Sequence, residues 1–226
     1  DYSASDASEY TWQNGKGSEL LGVVRYLGEV KGVNAMSFLT FSLDGDDDNV
    51  YPHRQQTSGA TSWSDVYHTR FDVSKMAQWE RIFEYADKKG VFLHFKTHET
   101  ENDQLMSGGD LGNEMKVYYR ELVARYGHHL ALNWNISEEI SLNNSDIRDI
   151  INYVQDVDPY DHLVVFHTFP DNKGRYDNYT GTQSNLTGAS LQNGKSSNHS
   201  DVLEWVSKSA AANDKWVVAN DEHNPA

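Results

Sequence analysis

The chain has no cysteine and only four prolines among its 226 residues. Without cysteine there is neither a disulfide scaffold nor a thiolate metal site; the compartment stays open, since a large secreted core does not require bridges. Basic residues are scarce, 19 Lys and Arg against 34 Asp and Glu, for a formal charge of −15. No basic surplus exists to displace the counterions of nucleic acid or to hold an anionic membrane, so neither is expected as a partner. A local basic patch for a sulfated or carboxylated sugar is still compatible with that balance. No apolar run reaches the roughly 18 residues of a membrane span. Asp1-Tyr2-Ser3 does not open a basic-then-apolar leader, so any signal peptide is expected upstream or already removed. A glycine-rich phosphate turn is also missing, because Gly15-Lys16-Gly17-Ser18 lacks the spaced glycines of a P-loop.

What is present is enough apolar and aromatic residue, 38% and 12%, for a real core rather than disorder. The pattern alternates strands with amphipathic helices. Leu20, Leu21, Val24 and Leu27 recur at helical spacing, with Gly32 at the C′ position. Asp72 caps a second helix with Met76, Trp79, Ile82, Phe83 and Ala86 on one face, stopped by Gly90. Tyr118, Tyr119, Leu122, Val123 and Tyr126 mark a third, ending at Gly127. Ile147, Ile150, Ile151 and Val154 mark a fourth, and Val202, Leu203, Trp205, Val206 and Ala210 a fifth. Between them lie six strand signals, at 33–41, 91–95, 130–136, 163–167, 189–191 and 216–220.

Such alternation implies parallel strands with right-handed crossovers. The fold class expected is α/β, a (β/α)8 barrel of which strands two to seven are visible. Residues 1–226 would form one catalytic barrel domain, with the first and last strands outside the chain. A complete barrel runs to about 250 residues, and 83 residues separate Glu139 from Glu222, close to three barrel units. A doubly wound open sheet is the runner-up. Long polar loops at 42–69, 98–112 and 169–188 follow strand C-termini, while the opposite turns are two or three residues. That asymmetry places function on the C-terminal face.

Two acid pairs stand on that face. Glu138 and Glu139 follow the strand Leu130-Ala131-Leu132-Asn133-Trp134-Asn135-Ile136, and Asp221 and Glu222 follow Trp216-Val217-Val218-Ala219-Asn220. Acids beside core strands are costly unless partnered. Two carboxyls from different strands suit a reaction in which one protonates a leaving oxygen and the other attacks or activates water. The plainer reading, helix caps or lysine partners, fits less well with strands this apolar. Other polar residues follow the same strands. His98 or Glu99 reads as a substrate hydrogen-bonding residue. A metal cluster of His94, His98, Glu99 and Glu101 is disfavoured by the irregular His-x-x-x-His spacing on a strand. His167 reads as a sugar contact, a carboxylate-orienting residue or a core histidine, and Gln192 as a weaker candidate of the same kind. Trp63, with Tyr51 and Tyr67 in the same loop, and Trp12 offer faces for stacking on sugar rings. The run Asp44-Gly45-Asp46-Asp47-Asp48-Asn49 has Asn49 and Gln55 where an EF-hand needs Gly and Glu, so it reads as a solvated acidic loop. No metal and no cofactor is expected.

Trp134-Asn135-Ile136-Ser137-Glu138-Glu139 resembles the fourth-strand motif of clan-A glycoside hydrolases, in which a Trp is followed five residues later by the acid/base Glu. The resemblance implies Glu139 as acid/base, with Glu138 where those enzymes usually carry Asn, and a seventh-strand nucleophile at Asp221-Glu222. The chain is also similar, nearly end to end, to a group of bacterial proteins classed as glycoside hydrolases that carry an N-terminal sandwich of unknown function. The matching runs are Phe71-Asp72-Val73-Ser74-Lys75, Tyr119-Arg120-Glu121-Leu122, Ala124-Arg125-Tyr126-Gly127-His128-His129, Asp158-Pro159-Tyr160-Asp161-His162, His167-Thr168, Ser190-Leu191-Gln192 and Asp221-Glu222. One departure is Ile140, where relatives usually carry Asn after the acid pair.

The function expected is hydrolysis of the O-glycosidic bonds of a polysaccharide or oligosaccharide, with Glu139 as acid/base and Glu222 as nucleophile. Glu138 and Asp221 are the alternates. A retaining pair would stand about 5–5.5 Å apart. The location expected is secreted or periplasmic; the oligomeric state is not readable. The alternatives are a carbohydrate-binding barrel without catalysis, for which Ile140 is the best support, and a polysaccharide lyase.

Overall fold

The computed structural model describes residues 18–45, 50–194 and 196–223. Trp12, the glycines at 15 and 17, and residues 46–49 of the acidic loop lie outside the described residues. The elements run α1 (Ser18–Arg25), continued by a π-helical turn (Tyr26–Lys31), β1 (Ala35–Leu39), β2 (His53–Gln55), β3 (Val66–Phe71), α2 (Val73–Lys89), β4 (Phe92–Lys96), α3 (Asn113–Tyr126), β5 (Leu132–Asn135), α4 (Asn144–Val157), β6 (Leu163–Val165), β7 (Gly188–Asn193), α5 (Asn198–Ala211) and β8 (Val217–His223).

Six of the strands are parallel and follow one another in chain order, as in an α/β barrel. β1, β4, β5 and β6 pair in that order, and β7 pairs with β8. The two groups are joined by a parallel bridge between His167 and Ser190 and by the bond from Thr187 N to Val164 O (3.1 Å). All six expected barrel strands are present. No pairing closes β8 onto β1 among the described residues. The burial pattern follows from that order. Strands flanked on both sides, such as β5 and β7, are buried at every position, whereas β1 and β8 at the ends of the ladder are half-exposed.

The helices end as their sequences dictate. The Asp72 carboxylate accepts from Ser74 N and Lys75 N, satisfying two orphan donors at the start of α2. Gly32 and Gly90 adopt φ of 64° and 68°, the left-handed stop that L-residues disfavour. The core between helices and sheet is aromatic: Phe38, Phe83, Phe95, Tyr126 and Trp134 contact one another with centroids 5.0–5.9 Å apart. Trp134 faces the helices, and its Nε1–H donates to Asp158 Oδ2 at 2.9 Å. The same carboxylate lies 2.7 Å from His162 Nδ1. The run 158–162 is therefore an anchor for a core tryptophan, away from the acid pairs.

One segment departs from the expectation. Residues 42–69, read as a long loop, contain β2 and part of β3, an antiparallel pair. Tyr51 is buried at 5% exposure and packs in the core beneath the Lys75 ammonium.

Candidate active site

Side chains alternate across a strand, so the interior face of the sheet is set by every second residue. On β4 this brings His94 and Lys96 inward while Leu93 and Phe95 meet the helices; on β5 it brings Asn133 and Asn135 inward while Trp134 points out. The inward residues bond to one another. His94 Nδ1 lies 2.9 Å from Asn133 Oδ1, and Asn135 Nδ2 is 3.1 Å from His94 Nε2 and 3.3 Å from Ser190 Oγ of β7. Together they form a polar floor.

Consecutive residues on a regular strand face opposite ways, so Asp221 and Glu222 should not share a face. A register shift resolves this. Leu191 pairs with Asn220, but the next residue, Gln192, pairs with Glu222, leaving Asp221 as the extra residue of a bulge. Both acids thereby reach the same imidazole. His167 Nδ1 is 2.9 Å from Asp221 Oδ1, and its Nε2 is 3.4 Å from Glu222 Oε2. Asp221 Oδ2 also lies 2.9 Å from His94 Nε2 and 3.6 Å from Lys96 Nζ. Burial pushes the Asp221 carboxyl up, but the bonds from His167 and His94, with the charges of His167 and Lys96, more than offset it and hold it far below the ordinary range. Glu222 differs. Gln192 Nε2 donates to its Oε1 at 2.5 Å, while its side chain is 36% exposed. Burial, the largest influence, raises its pKa, aided by the Glu138 charge and opposed by His167, Gln192 and Lys96.

The other acid pair is arranged by a second local irregularity. Beyond β5, Glu138 N donates to His98 O (2.9 Å) and Ile140 N to His167 O (3.0 Å), clamping the chain between its neighbours. Between them Glu139 has a φ of 47°, a left-handed conformation that costs an L-residue roughly 1–2 kcal/mol. The Glu138 carboxylate is taken up by Lys96 Nζ at 3.0 Å, and that ammonium is itself only 7% exposed. Glu138, Glu139 and Glu222 line one cleft of about 240 Å³, with Glu99, Thr100, Glu101 and Leu39.

Of the residues singled out in the sequence, Glu138, Glu139, Glu99, Glu222, Asp221, His167 and Gln192 converge on this cleft or directly beneath it. Glu99 is buried at 4% exposure, its Oε1 accepting from Asn102 Nδ2 at 3.0 Å. His98 is corrected. It is fully buried, its Nε2 lies 3.3 Å from the Tyr119 hydroxyl of α3, and burial pushes its pKa down to about 3, so it is a neutral core residue and not a substrate contact. Trp63 is not brought to the cleft: its ring is stacked on His68 at 4.1 Å and edge-on to Phe41 and His53, and it is not among the residues lining the cleft. Ile140 is buried at 1% exposure, outside the cleft lining.

Lys96, the buried cation that joins Glu138 to Asp221, went unnoticed in the sequence. The signal was there: His94-Phe95-Lys96 and Asn133-Trp134-Asn135 place polar residues at alternate positions of otherwise apolar strands, the mark of a polar interior.

No protein-family model and no curated protein matches the chain. Solved structures do. The chain resembles a glycoside hydrolase family 5 structure from Bacteroides vulgatus, with a TM-score of 0.62, 18% identity, and coverage of 91% of this chain and 45% of that one. A family 5 mannosidase from Rhizomucor miehei gives 0.60 at 11% identity, covering 96% and 65%. A tri-modular family 5 endo-β-1,4-glucanase from Bacillus licheniformis gives 0.58 at 11%, covering 90% and 43%. The chain spans 37–48% of the length of the first three structures matched. The likeness is one of fold: six parallel strands alternating with helices, the α/β arrangement of these glycoside hydrolase structures.

Proposed function

We propose that the chain is the catalytic barrel of a secreted or periplasmic bacterial glycoside hydrolase that cleaves O-glycosidic bonds with retention. Residues 1–226 are read as one barrel domain whose first and last strands lie outside this span, in keeping with the half-exposed β1 and β8. One observation carries the reading: Glu139 and Glu222, from different strands, line a single cleft at the C-terminal face.

In this mechanism the Glu139 carboxylic acid gives its proton to the glycosidic oxygen as the bond to the anomeric carbon breaks. The Glu222 carboxylate attacks that carbon and forms a glycosyl ester. Glu139, now a carboxylate, takes a proton from water, whose oxygen displaces Glu222. The local geometry supports this division among the four acids. Asp221 has both oxygens held against histidine rings and Glu138 is engaged by Lys96, whereas the Glu222 side chain is 36% exposed and lines the cleft. Gln192 and His167 fix the Glu222 carboxylate, and Lys96 balances the charge of the acids around it. Five glutamates line the cleft without an arginine or lysine among them. Such a field disfavours anionic glycans, so the substrate is read as a neutral polysaccharide or oligosaccharide.

Reducing-end release from a panel of neutral, uronic and sulfated glycans tests the proposal. The wild-type chain, extended to include both flanking strands, is expected to hydrolyse a neutral member. Glu139→Gln is expected to lower turnover by roughly 10²–10⁴-fold while sugar binding persists. Binding with no hydrolysis of any glycan would make this a carbohydrate-binding barrel instead, and ultraviolet-absorbing unsaturated products would make it a lyase.

A further inference from the structure

At the opposite end of the sheet from the cleft, α2 meets the turn that leads from α3 into β5. Glu80 of α2 faces His128 and His129, its Oε1 lying 3.0 Å from His128 Nε2 and its Oε2 3.3 Å from His129 Nε2. Ligand atoms of the three residues all lie within 4.8 Å of one another. About two helical turns further along α2, Asp87 Oδ2 approaches the other ring nitrogen of His129, Nδ1, at 2.6 Å. His129 is 1% exposed and His128 51%.

We propose that Glu80, His128 and His129 form a zinc site, with Asp87 as the partner that orients His129. The donor set is the first reason. Two imidazoles and one carboxylate suit Zn²⁺, and not Mg²⁺ or Ca²⁺, which take oxygen ligands. Spacing is the second. Bonds of about 2.1 Å in a tetrahedron put neighbouring ligand atoms about 3.4 Å apart, and one ligand atom from each of the three residues lies within 4.8 Å of the others, so a small turn of the exposed His128 ring and the Glu80 carboxylate closes the set on one ion. Third, the Asp87 contact is the carboxylate–histidine arrangement that fixes a metal ligand's tautomer. A proton on Nδ1 directed at Asp87 leaves the Nε2 lone pair available to a metal ion beside Glu80. The exposed edge of His128 leaves room for water as a fourth ligand. Bound there, the ion clips α2 to the α3–β5 junction on the face where a barrel keeps its stability residues, far from the catalytic acids.

Isothermal titration of the chelator-treated full chain with ZnCl₂ tests this, with MgCl₂ and CaCl₂ as controls. One zinc per chain is expected, neither control should saturate, and Co²⁺ in place of zinc should give the intense visible bands of a four-coordinate ion. His128→Ala, at an exposed position, and Glu80→Gln should each weaken zinc by at least tenfold, and Asp87→Asn by about 10–100-fold. Circular dichroism of each variant confirms that it is folded. Absence of saturable zinc binding overturns the proposal. So does zinc binding unchanged in folded His128→Ala and Glu80→Gln, which would assign the ion to the cleft glutamates. Loss of glycan hydrolysis has no bearing on it, because the two sites share no residue.

Discussion

Asp221 and Glu222 are neighbours whose surroundings pull their proton affinities apart. Asp221, pinned between His167 and His94 beside Lys96, is held ionised; Glu222, half-covered and near Glu138, is pushed up. For Asp221 the folded value lies below the unfolded one, about 4. Its stabilisation is therefore present above that pH and lost as pH falls toward the folded value. Asp221→Asn should cost about 3 kcal/mol in urea unfolding at neutral pH, since it removes the buried carboxylate shared by His94 and His167, and the acid side of the stability profile should flatten. For Glu222 the consequence is kinetic. A nucleophile must be ionised, so kcat/KM should fall on the acid side at a pH above the ordinary carboxylate range. Gln192→Ala, which removes a bond to the ionised form, should move that limb to still higher pH. An unmoved limb would mean that Glu222 is not the group titrating there.

At the scale of elements, the helices were legible and the bends were not. Apolar spacing, the Asp72 cap and glycines 32 and 90 specify α1 and α2 from local physics alone. So do the six apolar runs that become the parallel strands. The bulge at Asp221 and the left-handed Glu139 depend on which residue pairs with which across the sheet, and no local pattern encodes that. His98 was misread for a related reason. It continues the spacing of His94 and Lys96, but β4 has ended at Lys96, and the chain turns the ring toward Tyr119. The hairpin of β2 and β3 escaped notice because β2 is only three residues long, too short for a period to appear. Strand pairing also makes one glycine strict. A Cβ on Gly188 would sit 2.2 Å from Val217 O and 3.1 Å from Val165 Cγ1. Gly188→Ala should push β7 from β8 and cost about 1–3 kcal/mol by thermal unfolding. It should also lower kcat more than Asp72→Ala, which should cost about 1 kcal/mol at the α2 cap and spare activity.

The whole molecule carries 34 acids against 19 basic residues, and five glutamates line the cleft alone. The charge balance in the sequence argues against nucleic acid or an anionic membrane as partner, and the cleft adds an expectation about the substrate: a uronic or sulfated chain should bind far more weakly than a neutral one of equal length, with the gap narrowing as salt screens the field. No helix among the described residues is long and apolar enough to cross a membrane. What the sequence could not supply was convergence, the meeting of residues 83 positions apart. That convergence is the claim on which the hydrolase reading rests, and covalent trapping tests it most directly. Once a substrate sugar is known, the extended chain would be incubated with its activated 2-deoxy-2-fluoro glycoside and the labelled peptide sequenced by mass spectrometry. A single sugar ester on Glu222, formed more slowly or not at all in Glu222→Gln, is the predicted result. A label on Asp221 or Glu138, or turnover with inversion and no ester, would contradict it.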